Sequence, residues 1–198
     1  SEMCIRDRPN STRNKNRLIT TASADVPLKG LDYSLKALKL LKKDNPKMHL
    51  VVIGNYKKNG HTERLIKKLG IEQDVIFKKN ISKDEIKKLY SSSSIAIVSS
   101  LYEGFGYPVI EAMSCEVPII ATNVSSIPEL VSDFGTLIEP KNENQLKKSI
   151  IKVMQNYDHF KDIAIKGRQH VIETFNWSKI TSEYEKIIYE TVDRFKKC

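Results

Sequence analysis

The sequence predicts an α/β fold in which helices cover both faces of a parallel sheet. Short apolar runs of strand length alternate along the chain with longer segments whose apolar residues recur at helical spacing, and this alternation is typical of parallel sheets. The chain has 198 residues, of which 40% are apolar. This is enough to bury one good core, but not the cores of two large domains.

The first half of the chain alternates between the two kinds of element. The predicted strands are short and mostly apolar, whereas the predicted helices carry apolar residues three and four positions apart. Ser82 is a plausible helix cap, with Glu85 three residues later as in a capping box. The predicted elements are a strand at Leu18–Ala22, a helix at Leu31–Lys42, a strand at His49–Gly54, a helix at Thr62–Leu69, a strand at Val75–Phe77 and a helix at Lys83–Tyr90.

The second half continues this alternation and then becomes helical. Ile95–Val98 is apolar and β-branched, which fits a buried strand, and Pro108 suits the first turn of the next helix because its missing N–H would be unpaired there. We expect Trp177 to belong to the core and leave open whether Tyr189 and Phe195 do. The remaining predicted elements are a strand at Pro118–Ala121, a short helix at Ile127–Val131, a strand at Gly135–Ile138, helices at Glu143–Met154 and His159–Phe175, and an amphipathic face of Trp177, Ile180, Tyr184, Ile187, Ile188 and Tyr189.

Residues 1–16 differ from the rest of the chain. They show no periodicity and combine charged residues with Ser, Asn and Pro, so we expect a disordered or foreign leader followed by one domain at residues 17–198. A signal peptide is not expected, since no apolar core follows the charges. No apolar run in the sequence reaches membrane-spanning length.

Glu103 and Glu111 are the candidate functional residues with the most informative setting. Gly104 and Gly106 allow a tight turn after the predicted strand, and a helix that begins near Pro108 would hold Glu111 in its first turn. Both carboxylates would then border a cleft at the carboxyl end of a strand. Open α/β sheets bind their ligands at this edge.

The chemistry of such a cleft suits a ligand that carries both phosphate and sugar. Helix N-terminal amides and a lysine can bind phosphate, whereas a carboxylate repels phosphate but accepts hydrogen bonds from neighbouring sugar hydroxyls. The alternative is that Glu103 and Glu111 are ordinary exposed glutamates, with Glu111 merely favouring a helix N-terminus.

Four runs of residues around these glutamates form a signature: Glu103-Gly104-Phe105-Gly106-Tyr107-Pro108, Glu111-Ala112-Met113, Pro118-Ile119-Ile120-Ala121-Thr122 and Pro128-Glu129-Leu130-Val131. This signature resembles the donor-binding motif of the family 4 retaining glycosyltransferases, whose GT-B fold has two Rossmann-like domains. The resemblance extends over nearly the whole chain after the leader. It implies that the chain is one half of a GT-B fold, the donor-binding domain, without the N-terminal acceptor domain.

The resemblance also implies roles for individual residues. Glu103 would contact the transferred sugar and Lys29 the diphosphate, as the catalytic residues, while Glu111 would hold the ribose of the nucleotide. Without the flanking match, Lys29 would be interpreted as a solvated lysine of a Lys-rich chain. The other implied donor-binding residues are Gly104, Phe105, Gly106, Tyr107, Gly54, Ser23, Asn80 and Ile81.

Several positions depart from the family pattern. The family usually carries an arginine a few residues before the lysine, and residues 21–26 contain none. Glycine is frequent where Glu116 stands, and a glycine pair where Ser125 and Ser126 stand. The serine hydroxyls could still donate hydrogen bonds to phosphate, although the approach of the backbone would be less free.

The implied activity is transfer of a sugar from a nucleotide-diphosphate sugar to an acceptor hydroxyl, on a glycan or a lipid-linked sugar, with retention of configuration. No metal or other cofactor is expected, since the lysine and the helix dipole would replace it. The donor-binding half could be inactive when isolated. The alternatives are a nucleotide-binding module without catalysis, or a related GT-B enzyme such as a sugar-nucleotide epimerase or a phosphorylase.

The net charge of +9 suits an anionic lipid surface or another polyanion such as nucleic acid. The lysines are scattered among Ile and Leu rather than clustered with aromatics, which argues against nucleic acid, and most of the charge is expected on solvated helix surfaces. Cys4, Cys115 and Cys198 lack metal or redox spacing, and the four histidines form no ligand pattern. We expect a cytoplasmic protein, with peripheral contact to the inner face of the membrane left open.

Overall fold

The computed structural model describes residues 12–196, which form one parallel sheet and eight α-helices. The strands are β1 (Asn14–Thr21), β2 (His49–Ile53), β3 (Val75–Lys78), β4 (Ser93–Val98), β5 (Ile119–Thr122) and β6 (Thr136–Ile138). The helices are α1 (Leu31–Leu41), α2 (His61–Leu69), α3 (Lys83–Ser91), α4 (Tyr107–Ser114), α5 (Ile127–Val131), α6 (Glu143–Gln155), α7 (Tyr157–Thr174) and α8 (Trp177–Lys196).

The order of the strands is β3-β2-β1-β4-β5-β6, and all neighbouring pairs are parallel. The chain builds outward from β1 to β3 and then returns to the other side of β1 with β4. Open α/β sheets bind ligands at such a reversal, beyond the carboxyl ends of the strands. The loops that follow β1 and β4 meet there, and they contain Lys29 and Glu103.

Two apolar clusters cover the two faces of the sheet. Successive side chains of a strand point to opposite faces, and accordingly the buried neighbours Leu18 and Ile19 belong to different clusters. Side chains from α1, α2 and α6 pack in the cluster of Leu18, whereas side chains from α3, α4, α5 and α7 pack in that of Ile19. This arrangement is the three-layer fold that the sequence predicted.

Most predicted elements are confirmed, and apart from the first strand their boundaries lie within two residues of the observed ones. The capping box at the start of α3 is present, because Glu85 donates its amide to the Ser82 hydroxyl at 3.2 Å and its carboxylate accepts from the Ser82 amide at 2.9 Å. Cys115, at the end of α4, is buried. None of the helices within residues 12–196 combines the length and apolar character needed to cross a bilayer.

The first strand begins four residues earlier than predicted, at Asn14. Asn14 pairs with Ser93 in β4, and the Arg13 guanidinium donates to the Ser93 carbonyl at 3.0 Å. The leader predicted for residues 1–16 is therefore too long. Its last residues are polar and give no apolar period, although they extend a strand of the sheet. Residues 1–11 lie outside the described part of the chain, and so does the prediction of disorder for them.

The last helix corrects the expectation that Trp177 belongs to the core. The Trp177 side chain is 62% exposed. Helical periodicity identifies an apolar face but not the surface against which that face packs, and this is why the position of Trp177 was predicted wrongly. The exposed large apolar side chains of α8 are Trp177, Tyr184, Ile187, Ile188, Tyr189, Val192 and Phe195.

Candidate functional site

Lys29 and Glu103 form an ion pair at the carboxyl edge of the sheet. Lys29 Nζ lies 3.0 Å from Glu103 Oε1 and 2.9 Å from Oε2. Glu103 is 9% exposed and Lys29 is 33% exposed, so the carboxylate is the more buried partner. Ser100 donates a further hydrogen bond of 2.9 Å to Glu103 Oε2. The structure thus brings the two predicted catalytic residues into contact, although 74 positions separate them in the sequence.

The loop that carries Lys29 is fixed against the end of β4 by backbone contacts. A 3-10 turn at Pro27–Lys29 is followed by Gly30, whose φ of +61° lies in the left-handed region. The Leu101 amide donates to the Leu28 carbonyl at 2.7 Å, and the Ser99 hydroxyl donates to the Gly30 carbonyl at 2.9 Å. A Cβ added to Gly30 would lie 2.9 Å from the Ser99 carbonyl carbon and still closer to its oxygen. Only glycine fits this conformation and this approach.

The loop that carries Glu103 is held by Ser126. The Ser126 hydroxyl lies 3.0 Å from the carbonyl oxygens of both Glu103 and Phe105, so these two acceptors share its one hydrogen. The sequence suggested this hydroxyl as a donor to phosphate. In the structure it donates to the backbone of the loop instead. Gly106 ends the loop with φ +97° and forms the N-cap of α4.

Glu111 lies in the second turn of α4 rather than in the first turn as predicted, because the helix begins at Tyr107. The Tyr90 hydroxyl donates to Glu111 Oε2 at 3.4 Å and lies 2.8 Å from the hydroxyl of Thr21. Burial raises the pKa of the Glu111 carboxyl, and the hydrogen bond from Tyr90 opposes this rise. Glu111 is thus a partly buried acceptor rather than an ordinary exposed glutamate.

The glycine-rich loop presents both backbone and rings to solvent. Gly104 is exposed and has no atom within 4 Å of the position that a Cβ would take. Phe105 and Tyr107 are 42% and 55% exposed, with their ring centroids 5.0 Å apart. Gly106 is buried, and a Cβ there would lie 2.7 Å from a methyl group of Leu130. This loop can therefore contact a ligand through exposed amides and aromatic faces.

The predicted nucleotide-side residues lie on the neighbouring loops. Ser23 and Gly54 follow β1 and β2, and the Asn55 amide lies 3.5 Å from the Ser23 hydroxyl. Asn80 and Ile81 connect β3 to α3, where Asn80 is exposed with φ +53° and Ile81 packs on the core. All four are at the same edge of the sheet as Lys29.

A cavity of about 320 Å³ lies between the amino ends of α1 and α2, and no motif in the sequence indicated it. In its wall His61 Nε2 lies 2.6 Å from Asp32 Oδ2. Asp25 accepts a 2.7 Å hydrogen bond from the Thr62 amide, which lowers the pKa of Asp25 and caps α2. The sequence contained one indication of this contact. Gly60, at the N-cap of α2, has no side chain that could cap the helix, so a cap must come from another part of the chain.

Two departures from the family pattern have a backbone explanation. Glu116 and Ser125 have φ values of +54° and +48°. Glycine adopts this left-handed region without the steric cost that a Cβ brings. The chain therefore accepts strain at two positions where the resemblance in sequence led us to expect glycine.

The positive charge next to Glu103 comes from Lys29. The segment Thr21–Val26 supplies no arginine. In the described part of the chain, no three His, Cys, Asp or Glu side chains are grouped so that they could hold a metal ion. An anionic ligand beside Glu103 would meet Lys29 and the amides of the loop before α4.

These features define a Rossmann-like α/β domain with its candidate site at the carboxyl edge of the sheet. The chain belongs to the family described as glycosyl transferases group 1, whose family model matches residues 5–170. The match begins inside residues 1–16. The likeness to the family therefore extends further toward the amino end than the boundary that we expected for a foreign leader, at residue 16.

Two curated relatives illustrate the likeness in sequence. The MMP alpha-(1->4)-mannosyltransferase of Mycolicibacterium hassiacum is 31% identical over 194 residues, which make up 96% of this chain and 47% of that protein. The N-acetyl-alpha-D-glucosaminyl L-malate synthase of Bacillus anthracis is 32% identical over 131 residues, or 65% of this chain and 34% of that protein. The chain spans less than half the length of these two relatives.

Solved structures agree with the fold. HepE of Anabaena in complex with UDP-glucose matches 89% of this chain and 49% of its own, with a TM-score of 0.79 and 21% identity. The C-terminal domain of the glycosyl transferase group 1 family protein LpcC from Francisella tularensis matches 89% of this chain and 99% of its own, with a TM-score of 0.76 and 23% identity. The architecture is one Rossmann-like half of the GT-B fold, as predicted.

Proposed function

We propose that the chain is the donor-binding half of a family 4 retaining glycosyltransferase, which moves a sugar from a nucleotide-diphosphate sugar to an acceptor hydroxyl. The contact between Lys29 and Glu103 carries this proposal. It holds a cation for phosphate and a carboxylate for hydroxyls side by side, next to the amino end of α4. Ligands at this edge of the sheet are typical of open α/β folds.

Each part of a nucleotide sugar has a chemical counterpart at the site. The diphosphate would bind Lys29 and the amides of residues 105–107, since a lysine is a mobile point charge and helix amino ends attract anions. The sugar hydroxyls would donate to Glu103 and the ribose hydroxyls to Glu111. Ser23, Gly54, Asn80 and Ile81 would line the nucleotide side.

The transfer step follows from this placement. The bond between the anomeric carbon and the diphosphate oxygen would break, and the acceptor oxygen would form its bond to the same carbon on the same face. The acceptor proton would pass to the departing diphosphate. Lys29 and the loop amides would stabilise the negative charge that develops on the leaving group, without a metal ion.

The acceptor would be a glycan or a lipid-linked sugar, held mainly by an N-terminal acceptor domain. The relatives that this chain matches are about twice its length or longer, so we propose that this chain binds the donor but does not turn it over alone. The net charge of +9 is compatible with a cytoplasmic enzyme that touches an anionic membrane surface.

Calorimetric titration with UDP-, GDP- and ADP-sugars tests the proposal. One nucleotide sugar should bind, and Glu111→Ala should weaken that binding at least about tenfold, since hydrogen bonds to a carboxylate are lost. Glu185→Ala, an exposed glutamate of α8, is the matched control and should bind like the wild type. If no nucleotide sugar binds, or if both variants bind normally, the donor-site proposal is wrong.

A further inference from the structure

Each glutamate of the candidate site is contacted by a hydroxyl of a buried residue. Ser100 is 3% exposed and donates to Glu103, while Tyr90 is 1% exposed and donates to Glu111. Neither hydroxyl belongs to the motif that identified the glutamates. Buried hydroxyls of this kind fix the orientation of a carboxylate that accepts from them. A partly buried carboxylate has few other hydrogen-bond donors within reach, so losing one is costly.

Ser100 is itself fixed where it follows β4. Its hydroxyl lies 2.9 Å from Glu103 Oε2, and its carbonyl accepts a hydrogen bond of 2.5 Å from the Thr122 hydroxyl at the end of β5. Lys29 shares the same oxygen of Glu103 at 2.9 Å. When Lys29 turns toward a diphosphate, the contact from Ser100 remains to hold the carboxylate.

Tyr90 reaches Glu111 from the end of α3. A phenol carries one hydrogen, so when Tyr90 donates to Glu111 Oε2 at 3.4 Å, the Thr21 hydroxyl at 2.8 Å is its donor. This chain of two hydrogen bonds begins at the carboxyl end of β1 and ends on α4. It connects the middle of the sheet to Glu111, the residue proposed to bind the ribose.

We propose that Ser100 and Tyr90 are positioning residues that act on different halves of the donor. Ser100 orients Glu103 for the transferred sugar, and Tyr90 orients Glu111 for the ribose. The inference rests on the proposed function, because it takes from there which half each glutamate contacts. It predicts that removing each hydroxyl weakens the binding of a different set of ligands. A merely structural role would weaken the binding of all ligands alike.

The test uses Ser100→Ala and Tyr90→Phe with three probes: UDP-glucose, UDP and 2′-deoxy-UDP, or the matching guanosine or adenosine set if that base binds. Ser100→Ala should weaken the binding of UDP-glucose about tenfold, as expected for the loss of one hydrogen bond to a charged group. It should leave the affinity for UDP unchanged. Tyr90→Phe should weaken UDP and UDP-glucose by the same factor of roughly three to ten. It should also reduce the preference for UDP over 2′-deoxy-UDP.

Matched variants separate positioning from loss of folding. Ser93→Ala removes a hydroxyl that is equally buried in β4 but donates to the Leu89 carbonyl, so affinity for all three probes should stay at the wild-type value. Ser100→Thr keeps a hydroxyl and should restore most of the affinity for UDP-glucose. Thermal melting of every variant shows whether the domain is folded.

The outcomes are distinct. Equal weakening of all probes by Ser100→Ala and Tyr90→Phe, or no change with either, overturns the positioning roles while the donor site stands. Loss of affinity in Ser93→Ala of the same size as in Ser100→Ala overturns the role of Ser100. Failure of the wild type to bind any nucleotide overturns the proposed function, and the positioning roles with it.

Discussion

Replacement of Gly30 by alanine should destabilise the domain and displace the lysine of the site. A left-handed alanine costs roughly 1–2 kcal/mol, the overlap with the Ser99 carbonyl costs roughly 1–3 kcal/mol as overpacking, and the stiffer unfolded chain returns roughly 0.4–1 kcal/mol. The expected loss is therefore roughly 1–5 kcal/mol. For a domain of this size it corresponds to a fall in Tm of roughly 2–20 °C.

Gly104→Ala is the matched control for this prediction. Gly104 lies in the same site, but its added Cβ would meet no atom within 4 Å and its φ is not in the left-handed region. Its effect on stability should stay within roughly 0.5 kcal/mol. Differential scanning calorimetry of the two variants checks the difference. Equal melting temperatures for Gly30→Ala and Gly104→Ala would refute the argument that the Gly30 backbone is irreplaceable.

Three further predictions follow from single residues. Glu111→Gln should raise Tm at neutral pH while it weakens nucleotide binding. Burial raises the folded-state pKa of Glu111, so the charged carboxylate lowers the stability of the fold once the pH rises above the pKa of the unfolded chain. An unchanged Tm at pH 7 would contradict this. Asp25→Ala should lower the free energy of unfolding by about 1 kcal/mol, because a helix cap is lost. The folded-state pKa of Asp25 is lowered, so denaturant unfolding should show the full loss at pH values above the ordinary aspartate pKa. The loss should shrink as the pH falls through the lowered pKa. Ser125→Gly relieves a φ of +48° and should stabilise by up to about 1 kcal/mol in the same assay, where a loss of stability would count against backbone strain.

The sequence predicted the layers of the fold because strand and helix periods are local. Ile95–Val98 and the capping box at Ser82 need only their neighbours to be recognised. The first residues of β1 were missed because Asn14 and its neighbours are polar. Trp177 was predicted wrongly because the apolar face of a helix does not show which surface it packs against.

The site was predictable only where it forms a contiguous motif. Glu103 and Glu111 lie close together in the sequence beside two glycines, and the likeness to a known signature pointed to Lys29. Ser100 and Tyr90 gave no such signal. One is among several serines near β4, and the other acts across 21 positions on a residue of another helix. Hydrogen bonds of this range exist only once the sheet has brought the elements together.

Exposed side chains at the carboxyl edge of the sheet can change with little effect on the stability of the fold. Residues 78–80, Phe105 and Tyr107 are exposed, while the strands beneath them are largely buried. Substitutions at exposed positions usually change stability by less than roughly 0.5 kcal/mol. If the proposed function holds, new preferences for a base or a sugar can arise by exchanging these side chains on an unchanged scaffold. A combinatorial library restricted to these positions should retain a folded domain in most of its members.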